Sequence, residues 1–382
     1  MNLYKIFARP VLFRLDPEKA HKLAVDLGSF VKDSGVDSLA RQMFEYKNEC
    51  LRSDFCRHNY DNPVGLAAGF DKNAEYIDML SMLGFGFVEI GSVTAKPSLG
   101  NPKPRSFRLP MDRAIINRMG LNNDGADAVR ARLLVSKPNI NYGVNIAKTH
   151  NLDILGSKAI KDFCYSFKQL YSFGAYTAIN ISCPNTAEEK TFEDPMALDE
   201  LLCAISEERR KFANNSQINK PLLLKLSPDV YGNDIPKKYL DLILQVAENR
   251  GIDGYVISNT SLGRGRLRTP KTEIEKIGRG GLSGAPIRSP STRMIQHVYD
   301  YLRNSRSYQE NQKIPQIIGC GGIFCAKDAY EKIKAGATLV QVYTGLIYEG
   351  PFLVKSIKKG LVRLLEKDGL KTISEAVGVE AG

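Results

Sequence analysis

Asn180, Cys183 and Asn185 fall within one run, Asn180-Ile181-Ser182-Cys183-Pro184-Asn185. It holds the sharpest chemistry in the chain. Two carboxamides offer donors and acceptors in fixed directions, which suits a planar heterocycle. A thiol between them can act as base or nucleophile. Its free pKa of ~8.5 comes within reach of neutral pH when a cation lowers it. An isolated Cys-Pro would read as a structural thiol beside a turn; the flanking carboxamides favour chemistry.

Further segments share this character. Gly65-Leu66-Ala67-Ala68-Gly69-Phe70-Asp71-Lys72 sets small residues where backbone can approach a flat ligand, with Lys72 offering a charge to a carboxylate or to that ligand. Asn117-Arg118-Met119-Gly120-Leu121-Asn122 is a polar loop that alone would be merely a turn. Gly319-Cys320-Gly321-Gly322-Ile323 and Tyr343-Thr344-Gly345 read as a phosphate cradle, because backbone N–H groups of Gly-rich loops bind phosphate. Gly280-Gly281-Leu282-Ser283-Gly284 reads as one more flexible loop. No Gly-x-Gly-x-x-Gly follows the first strand, which argues against a Rossmann nicotinamide site. The histidines at 21, 58, 150 and 297 form no metal-like pair, no Cys-x-x-Cys occurs, and no metal is expected.

Short β-rich apolar runs alternate with helix-like stretches along the chain, the rhythm of βα units. Eight runs read as strands: Val64–Ala68, Phe87–Gly91, Tyr142–Ile146, Tyr176–Ile181, Leu222–Leu226, Gly254–Ser258, Gln316–Gly319 and Leu339–Tyr343. Helices are expected over Asn73–Leu83, Asp194–Phe212, Pro236–Asn249 and Ser289–Arg303. Eight units predict an α/β fold, a closed (β/α)₈ TIM barrel, with an open doubly wound sheet as the alternative. Asp71-Lys72, Ser92, Asn145, Asn180, Lys225 and Asn259 cluster at strand ends, and a barrel keeps its active site at that C-terminal face.

Residues 1–45 stand apart from residues 46–382, the predicted barrel domain. Leu3, Phe7 and Val11 make one helical stripe; Asp16-Pro17 is an N-cap and N1 pair opening a second helix with Leu23, Leu27, Phe30 and Val31 on one side. Lys5, Arg9, Arg14, Lys19 and Lys22 make this two-helix extension basic. Such a pair either lies in a membrane interface or packs on the barrel as a hairpin.

The 382 residues suit one barrel of ~250 residues plus an extension. A net charge of +11 points to acidic partners such as an anionic substrate, a phosphorylated cofactor, anionic lipid or nucleic acid, unless it simply reflects a basic proteome. Seven cysteines, an odd number in a chain this large, argue for free thiols in a reducing compartment. No window approaches 18 apolar residues and no signal peptide is visible.

Together these residues resemble the dihydroorotate dehydrogenase family, from about residue 3 to about residue 365. The N-terminal helix pair, Gly91-Ser92-Val93-Thr94 and Pro104-Arg105-Ser106-Phe107-Arg108-Leu109 resemble its membrane-associated, quinone-using class, in which the helix pair forms a tunnel from membrane to flavin. The resemblance implies oxidation of dihydroorotate to orotate in pyrimidine biosynthesis, with FMN as cofactor. It implies FMN contacts at Ala68, Gly69, Lys72, Ser92, Asn145, Asn180, Lys225, Ser258, Gly284, Gly322, Tyr343 and Thr344. Substrate contacts would be Lys72, Asn117, Arg118, Met119, Gly120, Leu121, Asn180, Asn185, Asn259 and Thr260, and His21, Arg108 and Tyr343 match positions near the quinone end. Cys183 would be the base. That class typically carries Ser there, whereas Cys is usual in the soluble classes that reduce fumarate or, through a partner subunit, NAD. A thiol is easier to deprotonate than an alcohol, so the exchange is chemically tolerable.

The expected partners are dihydroorotate and orotate, a membrane quinone and a membrane surface, with no nucleic acid, for a monomer on the cytoplasmic face of a bacterial inner membrane. Rival readings are a soluble fumarate- or NAD-linked dihydroorotate dehydrogenase, a flavin reductase of the tRNA dihydrouridine synthase type and a non-catalytic phosphate-binding barrel. No basic helical domain follows the barrel, which argues against the tRNA enzyme.

Overall fold

The structure is a computed structural model that describes residues 3–182, 192–231, 237–265, 267–305 and 314–381. Cys183 and Asn185 lie outside the described residues.

The chain opens with helical turns. A π-helical stretch, Tyr4–Ala8, runs into Arg9–Leu12 (α1). Pro17–Asp33 (α2) follows, and the Asp16 side chain caps it by accepting from the backbone N–H of Glu18 and Lys19. A further helix, Asp37–Phe44 (α3), was not anticipated; its lack of a side-chain N-cap leaves little signal at its start. Leu3, Phe7, Val11, Leu23, Leu27, Phe30, Leu39 and Met43 are exposed along these helices, whereas Ala20 and Val25 are buried.

A short hairpin comes next, Ser53–Phe55 (β1) with His58–Tyr60 (β2). Phe55 and Tyr60 pack among Phe87, Tyr176, Leu223 and Val256, closing one end of the barrel. The eight expected runs all form the barrel: β3 (Val64–Leu66), β4 (Phe87–Val93), β7 (Asn141–Ile146), β8 (Tyr176–Asn180), β9 (Leu222–Leu226), β10 (Gly254–Ile257), β12 (Gln316–Cys320) and β13 (Leu339–Val342). Neighbours pair in parallel, and Val340↔Val64 to Val342↔Leu66 close the ring. The sheet is closed, so the open doubly wound alternative falls.

These strands are mostly apolar and buried on both faces because parallel barrel strands face helices outside and packed side chains inside. Every residue of β8 and β9 is buried. Gly65 is required by this packing: a Cβ there would lie 2.4 Å from the Phe87 ring. Outside, Ser157–Leu170 buries Ala159, Phe163, Phe167 and Leu170 on one helical face, and Pro195–Ser216 starts at an Asp194 N-cap.

Over the C-terminal end lies a small antiparallel sheet of β5 (Ser106–Leu109), β6 (Ala114–Asn117) and β11 (Gly281–Gly284). The expected flexible loop at Gly280–Gly284 is therefore corrected: its residues from Gly281 onward pair with Asn117 to Ala114, contributed from some 165 positions earlier in the chain. The helix expected over Asn73–Leu83 is shorter, Ile77–Ser81. The N-terminal turns dock on this end too. Tyr4 OH donates to Ile347 O at 2.6 Å, Lys5 pairs with Glu349, and Phe13 meets Tyr348 edge-on at 5.1 Å.

Candidate active site

One cavity of about 1750 Å³ runs from the N-terminal helices to the C-terminal ends of the barrel strands. Its outer part is lined by Phe7, Val11, Leu23 and Leu27, and its inner part by Ser92, Asn180, Lys225 and Asn259.

The inner wall is a relay of polar side chains at strand ends. Asn259 Nδ2 donates to Asn180 Oδ1 at 3.2 Å; Asn180 Nδ2 donates to Ser92 Oγ at 3.1 Å; Ser92 Oγ donates to Asn145 Oδ1. Asn145 Nδ2 then donates to Glu89 at 2.8 Å. Asn259 also ties down Ser182, donating to its carbonyl at 2.9 Å and its hydroxyl at 3.0 Å. Ser182 directly precedes Cys183, so the relay fixes the root of the segment that carries the expected base.

Lys225 and Glu89 form an ion pair at 3.1 Å, both buried. Burial works to raise the Glu89 carboxyl, but Lys225 together with donors from Gln341 and Tyr176 holds it below its ordinary value. Ser258 Oγ and Gln341 Oε1 are buried and unpartnered among the described residues. Buried polar atoms are normally satisfied, so these two await a partner.

Lys72 donates to Gly69 O at 2.9 Å, and burial lowers its ammonium to about 8. Tyr343 OH lies 3.4 Å from the same carbonyl. On the far side, Gly321 and Gly322 both take positive φ, and a Cβ on Gly322 would lie 2.8 Å from Arg288 N. Thr344 Oγ1 donates to Ser283 Oγ at 2.8 Å, joining the last barrel connection to β11.

Toward the helices, His21 meets Phe70 edge-on at 4.6 Å, and burial, reinforced by Lys72, depresses its imidazole to about 4. Arg108 lies over the Phe13 ring at 4.8 Å and donates to Leu15 O at 2.8 Å.

Most expected site residues line this cavity: Ala68, Gly69, Lys72, Ser92, Asn180, Lys225, Ser258, Gly284, Gly322, Tyr343 and Thr344, with Asn117, Met119, Gly120, Leu121, Asn259 and Thr260, and His21 and Arg108. Asn145 sits just beneath the wall, behind Ser92. Arg118 is directed elsewhere: its guanidinium lies 4.6 Å from the Phe107 ring centre and donates to Ile277 O and Pro104 O. Glu89 was missed altogether; the one available signal was a carboxylate inside the otherwise apolar run Phe87-Val88-Glu89-Ile90.

The family model described as dihydroorotate dehydrogenase matches residues 50–365. The dihydroorotate dehydrogenase (quinone) of Gloeobacter violaceus is 40% identical over 378 residues, 99% of each chain. That of Natronomonas pharaonis is 38% identical over 381 residues, the full length of both. Among solved structures, ligand-free dihydroorotate dehydrogenase from Eimeria tenella superposes with a TM-score of 0.79 at 32% identity, covering 96% of this chain and 100% of that one. A barrel with this cavity, matched over its length by such relatives, belongs to the dihydroorotate dehydrogenase family, whose members are flavin-dependent oxidoreductases.

Proposed function

We propose that this chain oxidises dihydroorotate to orotate with FMN as hydride acceptor and a membrane quinone as electron acceptor. The observation that carries this reading is the continuity of the cavity, apolar between the N-terminal helices and polar at the strand ends. A lipophilic acceptor and an anionic, hydrogen-bonding substrate need those two environments at the two ends of one flavin.

The residues present fit FMN. Among the described residues Ser258 Oγ and Gln341 Oε1 lack partners, and Gly321 and Gly322, both at positive φ, line the same cavity with backbone that can face a phosphate. Lys225, Asn180 and Ser92 would bind the ring system, with Ala68 and Gly69 along one edge and Thr344 near the phosphate. When bound, FMN supplies the two-electron acceptor for the substrate's C6 hydride and the donor for quinone.

The protein's own work is positioning and proton transfer. Lys72 would pair with the substrate carboxylate, while Asn117, Asn180, Asn185 and Asn259 would hold the pyrimidine amides and fix the near-attack geometry. The Cys183 thiolate would take the C5 proton as the C5=C6 double bond forms, standing in for the Ser usual in the membrane-associated class. His21, Arg108 and Tyr343 would line the quinone approach. Residues 1–45 would form the extension that guides quinone, with residues 46–382 as the catalytic domain.

Leu3, Phe7, Val11, Leu27 and Phe30 form an exposed apolar face on those helices. Among the described residues no helix is long and apolar enough to cross a membrane. Peripheral binding by that face, as a monomer on the cytoplasmic side of a bacterial inner membrane, completes the reading. Purification tests the flavin directly. A yellow protein that releases one phosphorylated flavin per chain supports the proposal; a colourless protein that takes up no added FMN refutes it.

A further inference from the structure

Glu89 lies on β4, two positions before Gly91, and is 1% exposed. Four donors converge on its carboxylate. Asn145 Nδ2 at 2.8 Å and Lys225 Nζ at 3.1 Å reach Oε1. Gln341 Nε2 at 2.8 Å and Tyr176 OH at 2.9 Å reach Oε2. These partners come from β7, β9, β13 and β8, so one side chain ties together five barrel strands. Among the described residues, Glu89 is the sole hydrogen-bond partner of Lys225 Nζ. A buried ammonium or carboxylate is costly alone, and the two persist together when their remaining lone pairs and protons are satisfied.

We infer that Glu89 is a positioning residue that holds Lys225 and Asn145 against the flavin site and balances the Lys225 charge, so that the pair sets the flavin's preference between oxidised and reduced forms. This rests on the flavin reading of the cavity. Lys225 lines that cavity and Glu89 lies behind it, so Glu89 acts through its partners. A reduced flavin carries more negative charge than an oxidised one. A fixed, balanced cation favours it moderately; an unbalanced cation free to swing toward it favours it more.

Glu89→Gln isolates the charge from the shape. An amide oxygen at the Oε1 position keeps Asn145 and Lys225 as donors. The amide nitrogen then faces Tyr176 OH, which can rotate to accept, while Gln341 Nε2 keeps its 3.4 Å contact to the same hydroxyl. The variant should fold, with Lys225 unbalanced. In a Lys225→Met background burial, the largest influence on Glu89, is no longer opposed by the ammonium, so the carboxyl rises toward neutrality and Glu89→Gln should change little there.

The experiment measures the FMN dissociation constant and the two-electron midpoint of each FMN-loaded protein by dye equilibration. Glu89→Gln should favour reduced over oxidised FMN about tenfold, a midpoint rise of about 30 mV for this couple. The same substitution in Lys225→Met should leave the midpoint at the Lys225→Met value. A wild-type midpoint in Glu89→Gln, or an equal shift in both backgrounds, overturns the inference. If Glu89→Gln fails to fold, the pair Lys225→Met and Lys225→Met/Glu89→Gln decides: equal midpoints support it, unequal midpoints overturn it. Wild-type protein that binds no FMN sinks the flavin reading and this inference together. Wild-type binding with an unmoved Glu89→Gln sinks this inference alone.

Discussion

Arg105 grips Glu18 with two hydrogen bonds, Nε to Oε1 at 3.0 Å and Nη2 to Oε2 at 2.9 Å. The same guanidinium donates to Leu99 O at 2.6 Å and Asn101 O at 3.1 Å. Asn101 in turn binds Met119 O and Arg118 O, within the expected substrate loop. One nearly buried arginine thus joins α2, at the helix-lined end of the cavity, to the loop at its polar end.

Glu18→Gln should cost about 1–3 kcal/mol at pH 7, because Arg105 loses its ionic partner in a mostly buried site. Burial opposes the Glu18 charge, but Arg105, aided by Lys103, outweighs it and holds the carboxyl below its ordinary value. A depressed folded pKa means the stabilisation is complete above about 4.5, the ordinary value, and is lost as pH falls through the folded one. Wild-type Tm should therefore drop more steeply than that of Glu18→Gln across this acidic window. Parallel curves would show that the pair contributes nothing.

Lys72 carries a pH signature of the opposite sense. Burial brings its ammonium down to about 8, so its charge fades as pH rises past that value. The KM for dihydroorotate should climb above pH 8. Lys72→Met should raise KM roughly ten- to a hundredfold, the worth of a charged hydrogen bond, and abolish the inflection. An inflection that survives in Lys72→Met would have to come from another group.

Cys183→Ala should keep FMN and lose about 10²–10⁴-fold in turnover, the usual contribution of a general base. Cys183→Ser should recover part of that loss with its optimum displaced to higher pH, since an alcohol is harder to deprotonate than a thiol. Stopped-flow reduction of the bound flavin by dihydroorotate isolates this step. Near-normal reduction in Cys183→Ala would remove Cys183 from the base role.

The imidazole of His21 is held at about 4, first by burial and then by Lys72, so it is neutral throughout the physiological range. Quinone turnover should show no inflection near pH 6.5. His21→Ala should raise the quinone KM several-fold and leave the dihydroorotate KM alone. A matched rise in both constants would instead place His21 in general packing.

What was legible in the sequence divides along physical lines. The barrel strands announced themselves because runs such as Leu222–Leu226 are buried on both faces, and the strand-end polar residues stood out against them. Asp16-Pro17 marked the start of α2 because capping is local chemistry. The sheet of β5, β6 and β11 was illegible, since Gly281–Gly284 earns its strand geometry from a partner far away in the chain. The hairpin of β1 and β2 was hidden by its three-residue strands and by a turn whose positive φ falls on Cys56 and Arg57 rather than glycine. Arg118 was expected at the substrate only through the family resemblance; the Phe107 ring and the Ile277 carbonyl hold its guanidinium away from the cavity lining, a matter of tertiary packing.

The most direct test of the central claim follows dihydroorotate oxidation by the purified, FMN-loaded chain with a ubiquinone analogue, fumarate and NAD in parallel. Turnover with the quinone alone is the predicted result, and it would mean that the helix-lined end of the cavity governs the acceptor while Cys183 serves as a thiol base on the quinone-using scaffold. Turnover with fumarate or NAD and indifference to quinone would contradict the account, making Cys183 the truer guide to class and leaving the N-terminal helices as packing.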